Sequence, residues 1–297
     1  MRKLGFIGFL LTALLMGSCG NDNGEYDSSG VFEAKEIMVS AEGNGRILYL
    51  DIEEGDDLLE GEVYGVIDTL PLYLNRKQLL YSIEALGGRA IDVNTQIASM
   101  EERIRTMKNE KVRIENLLKK NATNQKRLDD INSEISIAEK QLSAQISSFE
   151  QGNKSISKEE SSLRVQVLQL NDQLEKSRIR SPLSGKVILK YAEAGEVTGF
   201  GRPLFKVADI ENMILRTYIS SAQLTQLKEG QEIDVFADFG EERREYKGKV
   251  VWVSSKAEFT PKSIHVKEDR DNLVYAVKIQ VKNDGYLKIG MYGEIKL

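Results

Sequence analysis

The sequence has one cysteine, Cys19, one histidine, His265, and one tryptophan, Trp252. With no second thiol and no second imidazole, a disulfide framework within the chain and a His-Cys metal cluster are excluded, and neither a thiol nucleophile nor a catalytic triad is expected. A Gly-x4-Gly-Lys-Ser/Thr phosphate loop is missing as well, so any nucleotide hydrolysis would belong to another subunit. Only four prolines and 7% aromatic residues are present among 297, which suits long helices better than a loop-rich scaffold. The chain also lacks a positive excess: 41 basic against 46 acidic residues leave a formal charge of -5, which disfavours nucleic acid as a partner. Its many carboxylates fall on outer helix positions and in turns such as Glu54, Asp56, Asp57 and Glu60, where solvated surface is the expected role. Neither enzymatic activity nor a cofactor is expected.

What is present begins with a leader. Arg2 and Lys3 precede an apolar stretch from Leu4 to Met16, too short to span a bilayer as a stable helix, and then Gly17-Ser18-Cys19. This reads as a secretion signal. Small residues directly before the lone cysteine resemble a bacterial lipobox, with Met16 where leucine is usual, and that resemblance makes Cys19 the acylated first residue; a plain signal peptide or a short uncleaved anchor is the alternative. Loss of residues 1–18 takes the formal charge from -5 to -7. Residues 20–30, rich in Asn, Asp, Ser and Gly, are expected to form a flexible tether.

The chain then matches itself at a separation of 140 residues: Gly45 with Gly185, Gly55 with Gly195, Gly61 with Gly201, and between them Ile47 with Val187 and Glu53 with Glu193. Each half alternates short β-type runs with glycine turns, giving a small strand-turn-strand unit. Gly45-Arg46-Ile47 with Glu54-Gly55-Asp56, and Arg180-Ser181-Pro182-Leu183-Ser184-Gly185 with Ala194-Gly195-Glu196, resemble the paired half-motifs of biotinyl/lipoyl-like domains. More narrowly they resemble the periplasmic adaptor family, the membrane fusion proteins of the haemolysin-D type. That resemblance implies two halves that meet as one flattened β-sandwich with a helical hairpin inserted between them. A carrier domain would show a lysine at a tight turn between its halves, where this chain has a long insertion.

Within the insertion, Leu79, Ile83, Leu86, Ala90, Val93, Ile97, Met100, Ile104, Met107, Lys111, Ile114 and Leu118 step by 4 and 3 alternately, the period of a two-stranded supercoil. Lys119 to Asn124 interrupts the series, with Thr123 as the expected N-cap of a returning helix. That helix carries Leu128, Ile131, Ile135, Ala138, Leu142, Ile146, Phe149, Ile156, Leu163, Val167, Leu170 and Leu174. Asn153 and Glu160 fall on the same seam, which is weakest near Gln151-Gly152-Asn153. At 1.5 Å per residue the rod spans about 70 to 75 Å. Arg113, Leu117 and Asn124 have the Arg-x3-Leu-x6-Ser spacing that similar adaptors carry at the hairpin end. The resemblance implies that they meet an outer-membrane duct of the TolC type, with Asn124 replacing serine.

After Asp209 the pattern turns to strands around Met213–Ile219, Ile233–Ala237, Tyr246–Val253, Leu273–Val281 and Tyr292–Leu297, with a short helix over Ser221–Lys228. A small antiparallel β-barrel is expected, with Trp252 in its core. Phe259-Thr260-Pro261-Lys262, Glu268-Asp269-Arg270 and Leu273-Val274-Tyr275 are similar to the adaptor branch that works with ABC-type transporters; the chain stopping after the last strand favours the same partner.

The expected architecture is mixed α and β, elongated and multidomain. Its parts are a signal peptide (1–18), a tether (19–30), a first lipoyl-like half (31–70) and an α-helical coiled-coil hairpin (71–176, tip near 119–124). A second lipoyl-like half (177–208) and a β-barrel (209–297) follow, with joints near 70–72, 177–182 and 208–212. By resemblance the chain is a periplasmic adaptor of a tripartite export system. It would be held to the inner membrane of a Gram-negative bacterium by Cys19 and membrane lipid, and assembled as a hexameric ring between an inner-membrane transporter and the duct. The alternative is a coiled-coil lipoprotein that spaces envelope layers without transport.

Overall fold

The computed structural model describes residues 26–240, 242–259 and 273–297. Cys19 with the signal and lipobox, His265, and the Thr260–Arg270 part of the branch motif lie outside the described residues. The chain runs through strands β1 (Ser28–Ser40), β2 (Gly45–Leu50), β3 (Asp57–Leu58) and β4 (Val63–Ile67), then helices α1 (Leu70–Gly87), α2 (Val93–Lys119) and α3 (Gln125–Lys176). Strands β5 (Arg178–Arg180), β6 (Gly185–Lys190), β7 (Val197–Thr198) and β8 (Pro203–Ser220) follow. The last part holds a 3-10 turn (Gln223–Gln226) and strands β9 (Glu232–Phe239), β10 (Glu242–Val253), β11 (Glu258–Phe259), β12 (Leu273–Lys282) and β13 (Tyr292–Lys296). The short helix expected over Ser221–Lys228 is thus one 3-10 turn, closed by the Gln223 side chain on the amide and hydroxyl of Ser220.

The barrel closes through the order β8-β12-β10-β9-β13-β1 and back to β8, all neighbours antiparallel. Closure removes the free edges a small sheet would expose. Residues alternate inward along each strand: Met213, Leu215, Thr217 and Ile219 on β8, and Val277, Ile279 and Val281 on β12, all at or near zero exposure. Phe32 of β1 fills the centre, and its ring leaves no room for a Cβ at Gly293. Residues 28–30, expected in the tether, therefore open a barrel strand, pairing Ser28 with Ile295 and Gly30 with Thr217. Trp252, expected in this core, instead lies 38% exposed with the Lys278 ammonium over its ring, because the register of β10 against β12 shifts between Val250 and Trp252 and ends the inward series of Tyr246, Gly248 and Val250 before it.

β1 and β8 continue out of the barrel as one antiparallel ribbon into a second β module. Their register breaks between Glu33 and Lys35, where β8 sets residues 210–213 against Ala34 alone. The Asp209 carboxylate accepts the amides of Glu211 and Asn212 there, both at 3.1 Å. The joint expected near 208–212 is thus a pinned bulge within a continuous strand pair.

In the second module the two halves of the repeat interlock by exchange. Gly45 pairs with Thr198 and Gly185 with Leu58, positions related by the 140-residue shift. The amide of Gly55 donates to the Val187 carbonyl at 2.9 Å, and the amide of Gly195 to that of Ile47 at 2.8 Å. Likewise Gly61 donates to Ser181 and Gly201 to Ala41, both at 2.8 Å. Gly55 and Gly195 take φ of 98° and 92°, and Gly61 and Gly201 take 80° and 81°, the left-handed region in which glycine has no Cβ penalty. Each half thus satisfies the other's turns, around a shared core of Ile47, Ile67, Val187, Phe205 and Val207.

The helices leave from β4 and return to β5, which pair with each other in the same sheet. The Arg76 guanidinium bonds the Asn171 side chain at 3.1 Å near the base, joining α1 to α3. The ascending arm is not one helix: residues 88–92 are non-helical between α1 and α2. Ala90, expected on the seam, lies exposed in this break. Met100, also expected there, is exposed. Gly87-Gly88 ends the first segment, and Asp92 caps the second with its carboxylate on the Thr95 hydroxyl at 2.6 Å. The Thr95 bonds also hold the Asp92 carboxyl below its ordinary pKa.

Candidate functional site

The hairpin's free end is set by its turn. α2 finishes at Lys119, and the amides of Asn121 and Ala122 fold back onto the carbonyls of Leu118 and Leu117, both at 2.9 Å. Asn121 takes φ of 55°, a left-handed conformation that Asn tolerates better than most residues. The N-cap of α3 is Asn124, not Thr123: its Oδ1 accepts the Arg127 amide at 3.1 Å. That oxygen is therefore committed to the helix start, which the sequence spacing alone does not reveal.

Arg113 and Leu117 lie one turn apart on α2 and line one open groove of about 360 Å³ with Asn109, Val112, Asn116 and Lys120. The Arg113 side chain is 75% exposed and held by Glu110 at 3.3 Å; Val112 and Leu117 are exposed beside it. Asn124 is not among the lining residues and sits across the turn. The structure thus groups Arg113 with Leu117 and leaves Asn124 as a cap.

Charge is the feature that motif spacing missed. Residues 108–127 hold seven basic side chains against two acidic ones, in a chain whose total is -5. Lys108 pairs with Glu139 at 2.7 Å and Lys111 with Glu115 at 3.9 Å, whereas Lys119, Lys120, Lys126 and Arg127 stand exposed around the turn. The signal was available as two dibasic pairs, Lys119-Lys120 and Lys126-Arg127. Such an end attracts acidic surfaces over about a Debye length, roughly 8 Å at physiological salt.

At the other end, Lys190 bridges the two halves of the β module. Its side chain is 7% exposed, with Nζ at 2.8 Å from Glu193 and 3.0 Å from Glu53, carboxylates related by the repeat. The hydrogen bond that the ammonium donates to Glu193, then the one it donates to Glu53, raises the lysine above its ordinary pKa against the opposing effect of desolvation. Among the described residues, no group of three or more His, Cys, Asp or Glu is placed to hold a metal ion, and no helix is long and apolar enough to cross a membrane.

No family model matches the chain. A relative from Yersinia pseudotuberculosis called "UPF0194 membrane protein" is 27% identical over 286 residues, covering 88% of this chain and 86% of the relative. Among solved structures, MacA from Actinobacillus actinomycetemcomitans is similar with a TM-score of 0.55 at 19% identity, covering 91% of this chain and 77% of MacA. A membrane fusion protein from Streptococcus pneumoniae is similar with a TM-score of 0.50 at 15% identity, covering 91% of this chain and 97% of that one. The barrel and the long helical insertion thus make the fold that solved membrane fusion proteins have.

Proposed function

We propose that the chain is a non-enzymatic periplasmic adaptor that joins an inner-membrane transporter to a TolC-like outer-membrane duct for export. The observation that carries this reading is a rod with a distinct end. α3 has 52 residues, about 78 Å at 1.5 Å per residue, and its free end is basic and turn-capped while its base is locked into interlaced β strands. In this reading the interlaced module is the lipoyl-like sandwich of the haemolysin-D type, split by the hairpin. Arg113 and Leu117 meet the duct directly, and Asn124 shapes the turn that presents them. Cys19, acylated, fastens the chain to inner-membrane lipid.

A ring of copies, hexameric in similar proteins, would bury the stripe that α1 leaves exposed, Leu70, Tyr73, Leu74 and Tyr81. The resemblance around Phe259 and Leu273–Tyr275 favours an ABC-type transporter. Single cysteines placed at Arg113 and Asn124 in living cells test the central claim by thiol crosslinking and mass spectrometry. Adducts to an outer-membrane duct are expected; adducts only between copies of this chain would favour an envelope spacer instead.

A further inference from the structure

The two arms of the hairpin have unequal helical lengths: segments of 18 and 27 residues ascend, and 52 descend. At 1.5 Å per residue the ascending arm has about 10 Å less helix, and the non-helical residues 88–92, a turn at Gly88-Arg89 followed by extended Asp92, fill the gap. Level with this break, the unbroken α3 presents Asn153. Its Oδ1 accepts the Ile91 amide at 2.9 Å and its Nδ2 donates to the Ile91 carbonyl at 2.8 Å. One side-chain amide thereby satisfies both main-chain groups of the residue at the break, 62 positions away in sequence. An apolar seam residue could do neither.

Glycines surround this contact without steric need. A Cβ at Gly152 or Gly87 would meet nothing within 4 Å, and at Gly88 only the Ala85 carbonyl at an ordinary 3.6 Å. None of the three has a positive φ. In a helix interior, where Gly152 lies, glycine costs about 0.5–1 kcal/mol relative to alanine, and what it supplies here is backbone freedom. Both arms are therefore weakened at one level, about 35 Å above the base by the 23 residues from Asn153 to Lys176.

We infer that the hairpin is a two-segment rod with a joint at residues 88–92 and Gly152, and that Asn153 is the positioning residue that locks it. Locked, the distal segment bearing Arg113, Leu117 and Asn124 continues the line of the base. Released, that segment swings. A polar seam residue that sacrifices stability to specify geometry is a known use of asparagine in coiled coils.

The test uses the purified full chain carrying Cys19→Ser, with spin labels at exposed Asn75 and Glu101 on either side of the break. Asn153→Leu should keep or raise the melting temperature, since it adds an apolar seam residue. It should nonetheless speed exchange of the Ile91 amide about tenfold and widen the distance distribution between the labels. Adding Gly152→Ala should narrow the distribution again. A distribution in Asn153→Leu as narrow as in the parent chain would overturn the joint, even if Ile91 exchange quickens. Asn153→Ala guards against a substitution-specific effect and should widen the distribution too. No transporter or duct takes part, so failure here leaves the adaptor reading standing, and a failed duct crosslink leaves the joint standing.

Discussion

The β modules and the hairpin bury their apolar residues to different degrees. In the barrel and the interlaced module, inward-facing strand residues reach zero exposure, with Phe32, Ile47, Phe205, Leu215 and Ile279 sealed on all sides. In the hairpin, helices of 18, 27 and 52 residues bury only Ile83, Leu86, Ile97, Ile104, Ile114, Ile135 and Leu170. A two-stranded seam has solvent on both flanks, so it gives reach at little cost in core volume, while the β modules carry the stability. Stability and reach are thus assigned to different parts of one chain, and substitutions should separate them.

The largest effect is expected from Phe205→Ala, which empties the shared core of the interlaced module. A loss of about 3–5 kcal/mol is expected, lowering the melting transition followed by near-ultraviolet signal and loosening both feet of the hairpin. Ile104→Ala in the seam should cost less, about 2 kcal/mol, and should reduce helical signal while the β transition stays in place. Equal losses on both signals would show the two regions to be one cooperative unit.

The contrast also explains what the sequence disclosed. The hairpin seam was legible because a 3.5-residue period repeats over many turns, and the split repeat because left-handed turns require glycine at Gly55, Gly61, Gly195 and Gly201. The sixth barrel strand was not legible: residues 28–33 are separated from their partners β8 and β13 by most of the chain, and Ser28-Ser29-Gly30 has the composition of a tether. The break at 88–92 was hidden because Ala90 and Val93 keep the heptad count while the backbone leaves the helix. At the free end, spacing found Arg113 and Leu117 but not that Asn124 spends its side-chain oxygen as a cap.

Lys190→Met sharpens the comparison inside the β module, since it removes the cation held by both repeat-related glutamates. A cost of about 1–2 kcal/mol is expected, because Glu53 and Glu193 remain hydrated when the lysine is gone. The raised lysine pKa fixes the sign with pH. The stabilisation is fully present below the ordinary value of 10.5 and is lost as pH rises through the higher folded value. Melting curves of the two proteins should therefore differ by a constant amount between about pH 7 and 9 and converge in strong alkali. A gap that persists there would mean that the methionine fails for reasons of packing, not charge.

Smaller still is Asn124→Ala at the turn, about 1 kcal/mol for a lost N-cap, confined to the first turn of α3 and visible as faster exchange of the Arg127 amide. The smallest effect on stability belongs to Arg113→Glu. Among the described residues its ion pair is an exposed one with Glu110, so the melting temperature should move by the equivalent of less than about 0.5 kcal/mol. In the proposed adaptor role, function should move most at this position. Reversal takes two units from a local excess of five positive charges, so if the proposed duct presents acidic groups, crosslinking of the tip to it should fall and its sensitivity to salt should weaken. Unchanged duct capture together with unchanged stability would remove Arg113 from the interface and leave the exposed basic residues around the turn, Lys119, Lys120, Lys126 and Arg127, as the groups that guide docking.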